Sequence, residues 1–211
     1  MGVFQVFGRI ASAALMASVL NGCVGTNTLV SKAAAESVQP DTKLVRIAGK
    51  EITLGRAAGY CFNDRQSRFT STGAFVVMGP CDVEDEDSLA KGLVLVNVLA
   101  EGGVKDAIQA HTLEQYFRSE AGRKALSRRG KADSIEVLGT MQEKGIIYVH
   151  TKDTDGPVIP DTTADQWRLF FVVKDRLVSV AVINFTDDLM PDGVVFAQME
   201  EIAKRIQRLN P

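Results

Sequence analysis

Five groups of residues in the sequence carry side chains able to do chemistry or make contacts. Ser88-Leu89-Ala90-Lys91 spells Ser-x-x-Lys, a spacing at which a lysine can activate a serine nucleophile. The companion motifs of that chemistry, Ser-Asp-Asn and Lys-Thr-Gly, are absent, and a pattern with two fixed positions arises by chance in most chains this long. A Ser-His-Asp triad would need His111 or His150, and neither has a Gly-x-Ser-x-Gly elbow to serve. His111 precedes a helix start and is expected at the surface, whereas His150 falls in the alternating run Ile146 to Lys152 as an ordinary strand residue. Asp82, Glu84, Asp85, Glu86 and Asp87 place five acids in six positions. Such a run suits calcium, which takes several oxygen ligands, but it lacks the EF-hand's glycine and closing glutamate. It also suits a solvated loop or docking to a basic partner. Arg118, Arg123, Lys124, Arg128, Arg129 and Lys131 make one helix basic, as a solvated face or as a contact for anionic headgroups or an acidic partner. Tyr60 and Phe62 bracket Cys61 and could form an apolar rim. Together with Arg118, Arg123, Arg128 and Arg129 they are the candidate partner-contact residues. No catalytic residue, metal ligand or cofactor follows from these groups.

The chemistry with the most definite reading lies at the N-terminus. Arg9 is the single charge before an apolar stretch, Ile10 to Leu20. That stretch is short of the about 20 residues that span a bilayer and fits the apolar region of a secretion signal. Leu20-Asn21-Gly22-Cys23 follows, and this sequence resembles the bacterial lipobox. The resemblance implies cleavage before Cys23, a lipid on its thiol and a domain held at the periplasmic face of a membrane. Val24 in the next position, where an aspartate would signal inner-membrane retention, leans towards the outer membrane. A soluble secreted protein and an uncleaved anchor are the alternatives.

Residues 1–22 are therefore expected as a signal peptide, 23–43 as a lipidated tether and 44–211 as one domain. The tether is rich in Ala, Ser, Thr and Val and would keep the domain within roughly 25 Å of the membrane. Hydrophobic residues make up 45% of the chain, enough for a real core, and the net charge of -2 argues against a nucleic-acid binder. With Cys23 lipidated, Cys61 and Cys81 remain. In an oxidising compartment they are expected to pair, closing a loop of about 20 residues worth roughly 3 kcal/mol. The alternative is two buried thiols.

The elements that must position these groups follow from periodicity. Leu44 to Ala48 and Glu51 to Leu54 read as a hairpin around Gly49-Lys50. Residues 57–72 read as irregular, Ala74 to Met78 and Leu93 to Leu99 as apolar strands. Thr112-Leu113-Glu114-Gln115 matches a capping box and predicts one helix running to Gly130, with Arg128 and Arg129 in its last turn. Ile135 to Met141 pairs with Ile146 to Thr151, and Gln166 to Val173 with Leu177 to Phe185. The last strand is apolar on both faces and is expected to be central and covered twice. Val194 to Leu209 closes the chain as a helix with Val195, Met199, Ile202, Ile206 and Leu209 inward.

This pattern predicts an α+β domain with a mainly antiparallel sheet covered by helices. In element order, from the Thr112-Leu113-Glu114-Gln115-Tyr116 helix through the hairpins to the last helix, it resembles the PsbP/Mog1/DcrB-like α/β/α sandwich. Gly59-Tyr60-Cys61 and the following strand and cysteine also look like small lipoproteins of alphaproteobacteria. The sandwich resemblance implies a protein-binding accessory or assembly factor of the cell envelope, and no enzyme. The alternative is a module holding a small apolar or lipid ligand between sheet and helix.

Overall fold

The computed structural model describes residues 40–82, 90–100, 110–157 and 159–211. Its strands are β1 (Thr42–Ile47), β2 (Lys50–Gly55), β3 (Tyr60–Phe69), β4 (Gly73–Pro80), β5 (Leu93–Leu99), β6 (Ile135–Glu143), β7 (Ile146–Asp153), β8 (Asp165–Val173) and β9 (Arg176–Ile183). Its helices are α1 (Ala110–Arg118), α2 (Glu120–Leu126) and α3 (Asp192–Leu209). The signal segment, Cys23, the tether as far as residue 39, Ser88 and most of the acidic run lie outside the described residues. No described helix is long and apolar enough to cross a membrane.

Two-residue turns set the strand pairing. Ala48-Gly49, Lys144-Gly145 and Lys174-Asp175 have φ of 45° and 77°, 48° and 79°, and 46° and 60°. Positive φ at both central residues gives the mirror-image turn whose twist matches antiparallel strands. The three hairpins expected from the sequence therefore form. Seven strands then build one sheet in the order β3-β4-β5-β9-β8-β7-β6, every neighbour antiparallel, while β1 and β2 stand apart as a two-stranded ribbon. The class is α+β.

Alternation along the central strands divides the core. Val76, Met78, Val94, Val96, Val178, Val180 and Val182 point to one face, where α3 and the ribbon cover them. Val195, Met199, Ile202 and Ile206 of α3 are 3% exposed or less, and each such side chain stabilises by about 1.5–3 kcal/mol when fully buried. On the opposite face, Phe117 of α1 and Leu126 of α2 pack on Ile135, Ile147, Val149 and Phe170. Val77, Leu95, Ala181 and Ile183 form a smaller apolar cluster beside them. β9 is the middle strand of the sheet and is buried on both faces, as its sequence predicts.

Two expectations are corrected. Residues 57–72 are not irregular, because Tyr60–Phe69 is the edge strand β3. An edge needs little apolar sequence: only Tyr60, Phe62 and Ser67 of it are buried, and a bulge between Asn63 and Arg68 interrupts the register. The single helix from Thr112 to Gly130 is two. It begins at Ala110, so Thr112 lies inside its first turn and is not the cap, and it breaks at Ser119. The Ser119 hydroxyl donates to the Tyr116 carbonyl (2.6 Å) and accepts from the Gly122 N–H (3.1 Å), so it closes α1 and caps α2. α2 ends at Leu126, which leaves Arg128 and Arg129 beyond the helix.

Candidate functional site

The cysteine pair expected from the sequence is a disulfide, Cys61–Cys81, with Cα atoms 4.9 Å apart. It staples β3 to the end of β4, beside the register pairs Tyr60↔Pro80 and Cys61↔Gly79. The flanking aromatic residues do not form a rim. Tyr60 is 1% exposed and Phe62 6%, because both point inward from β3 under the ribbon. The Tyr60 hydroxyl bonds the Lys91 carbonyl and the Gln198 side chain, and burial pushes its pKa up. These two residues are core, not contact residues.

The four arginines also separate. Arg118 pairs with Glu114 on the same helix (3.3 Å). Arg123 donates to the Arg118 carbonyl (2.6 Å) and the Ala132 carbonyl (3.3 Å), which ties α2 to both neighbours. Arg129 turns away to Asp153 (3.2 Å) and to the carbonyls of Gly156 and Pro157, where it braces the loop after β7. Arg128 turns inward and lies 6.0 Å from the Phe75 ring, and burial lowers its pKa. The basic stripe expected along one helix is therefore not a single face. Arg118 and Arg123 alone remain together, lining an open groove with Glu136 and Val137 of β6.

That groove runs beside the free edge of the sheet. Among the described residues no strand pairs with the outer side of β6. Leu138 and Met141 of this strand are 42% and 45% exposed, and a bulge between Val137 and Gly139 turns the chain there. On the α3 side of the same edge stands a run of rings. His150 stacks on Trp167 (4.3 Å, 12° between planes), Trp167 touches Phe196 (4.7 Å), and Phe196 meets Tyr148 edge-on (5.7 Å). Tyr148 bonds Glu200 (3.1 Å), and burial pushes its phenol up to about 12. His150 is thus more than an ordinary strand residue. Its Nε2 lies on Asp165 Oδ1 at 2.5 Å, and among the described residues no serine, threonine or cysteine is bonded to it. Sequence reasoning missed this ledge because its rings come from β7, β8 and α3.

The other candidates stay apart. Lys91 of the Ser-x-x-Lys pattern is paired with Asp188 (3.0 Å). Among the described residues no group of acids, histidines and cysteines is arranged to hold a metal ion. The crevice between sheet and α2, lined by Leu126, Arg128 and Ile135, encloses about 20 Å³, room for one water and not for an apolar ligand. No protein-family model, no curated protein and no solved structure matches the chain.

Proposed function

We propose that the protein is a non-catalytic lipoprotein, anchored through a lipid on Cys23 at the periplasmic face of the outer membrane, that binds another envelope protein as an accessory or assembly factor. The sandwich of the PsbP/Mog1/DcrB-like type is the architecture that goes with this reading.

The observation that carries it is the contrast between the two sheet edges. Bulges interrupt both edges, but β3 is also blunted by exposed Asp64, Arg65 and Gln66 and by the disulfide. β6 has neither proline nor lysine in its nine residues, exposes Leu138 and Met141, and lies between the Arg118–Arg123 groove and the His150–Trp167 ledge. An extended segment of a partner can add to such an edge. Main-chain hydrogen bonds would supply affinity, and the flanking side chains specificity.

The test places a photo-crosslinking residue at Leu138, Met141 or, as control, Arg65 in the full chain, irradiates cells and identifies adducts from solubilised envelopes. One recurrent protein captured from positions 138 and 141, absent at 65 and lost in Cys23→Ser, is the expected result. No protein adduct, or equal capture at both edges, overturns the reading. A lipid or small molecule in the eluate instead would favour the ligand-binding alternative.

A further inference from the structure

The sheet face opposite α3 holds two guanidinium groups that the described residues leave without an anion. Arg168, in the middle of β8, points to that face between Val149 and Ala181 of the flanking strands and is 8% exposed. Its Nε is buried without a hydrogen-bond partner. Arg128 enters from the segment after α2, half-buried above Phe75, and its charge acts on Arg168. Burial first, then Arg128, push the Arg168 guanidinium down to about 10, so it stays charged at neutral pH. The carboxylate that lines the adjoining crevice, Asp153, is already taken: Arg129 holds one oxygen (3.2 Å) and the Asp155 N–H the other (3.1 Å).

A buried charge without a partner costs several kcal/mol, and a second like charge beside it adds to that cost. Among the described residues no group is bonded to the Arg168 guanidinium, and an apolar side chain there would join Val149 and Ala181. An arrangement this costly is explained by an anion that it binds. Two guanidinium forks match an oxyanion carrying several acceptor oxygens. Gln166, on the same face and two residues before Arg168, adds a further constraint. Its Oε1 is buried without a donor and its side chain lines the same crevice as Arg128. A carboxylate has no proton to give it, whereas hydrogen phosphate carries acceptor oxygens and one P–O–H. Arg128 and Gln166 line this crevice, which opens outward and has room for one phosphoryl oxygen (about 20 Å³), and Arg168 stands beside it on the same face of β8, two residues after Gln166.

The structure assigns Arg128, Arg168 and Gln166 as a site for a phosphate carrying a P–O–H group, either free phosphate or the end of a monoester.

The test uses full-length protein in detergent. Its melting temperature and calorimetric binding are followed with inorganic phosphate, with chloride at equal ionic strength, and with vesicles containing phosphatidic acid or phosphatidylglycerol. Phosphate or phosphatidic acid is expected to raise the melting temperature saturably, while chloride and the phosphodiester lipid do not. A response to inorganic phosphate marks a free ion, and a response to phosphatidic acid alone marks a lipid headgroup; either supports the site. Arg128→Gln should weaken binding at least about tenfold. Arg168→Met should melt at or above wild type without phosphate, because a buried unpaired charge has gone, and lose the phosphate response. No anion-specific response in wild type overturns the site. So does an Arg168→Met variant that is destabilised with and without phosphate, which would mean that a carboxylate of the chain itself neutralises Arg168.

Discussion

The side chain of Asn210 pairs with the backbone of Thr53 as a neighbouring strand would. Its Oδ1 accepts from the Thr53 N–H (2.9 Å), its Nδ2 donates to the Thr53 carbonyl (2.7 Å), and the same Nδ2 reaches the Ile206 carbonyl (2.7 Å). The residue after α3 thus completes the open side of β2 and closes its own helix. Asn210 is 6% exposed, so water does not replace these bonds. Asn210→Ala is expected to destabilise the fold by about 2–3 kcal/mol, since buried backbone groups lose their partners. Denaturant unfolding checks this: the midpoint should fall with the slope unchanged.

Gly122 is fixed by the corner between α1 and α2. A Cβ there would lie 1.8 Å from the Tyr116 carbonyl oxygen, a backbone atom that cannot swing aside. Gly122→Ala is therefore expected to cost about 2–4 kcal/mol, against the ordinary helix preference for alanine. Thermal unfolding of Gly122→Ala beside Ala121→Gly separates the two effects. If Gly122→Ala melts with wild type, the corner is not closed as described.

Two phenols make the fold sensitive to base. Tyr60 and Tyr148 both have raised pKa values, for burial above all, and Tyr148 reaches about 12. The unfolded chain releases these protons above about pH 10, while the folded chain retains them. Stability is thus full below that pH and falls as pH rises through the folded values. Phenolate absorbance from these residues should appear together with loss of structure. Tyr148→Phe should flatten the alkaline fall in melting temperature. Phenolate formation from both residues near pH 10 with the fold intact would refute the assignment.

Local signals carried much of the fold. The hairpins at Gly49, Lys144-Gly145 and Lys174-Asp175 were legible because turn residues sit between runs of period two. β9 was legible as central because Val178, Val180 and Val182 alternate with Ala181 and Ile183 and leave no polar face. β3 was not legible, since an edge strand that buries three of its ten residues reads as polar loop. The break at Ser119 was hidden in a good amphipathic helix. The Ser119 cap and the close approach of Gly122 to Tyr116 that accompany it are local backbone contacts that periodicity does not register.

The candidate site divides in the same way. Composition and chain order named the cysteine pair and the arginines, because residue type and spacing are properties of the chain alone. Direction was decided only on folding. Register turned Tyr60 and Phe62 into the core. The end of α2 at Leu126 sent Arg129 to Asp153 and Arg128 inward, and strand pairing brought Trp167 of β8 against His150 of β7. Which residues can carry charge, pair or stack is written in the sequence. Which of them end up buried, and against which partner, depends on contacts between segments far apart in the chain, and these exist only once the sheet has closed.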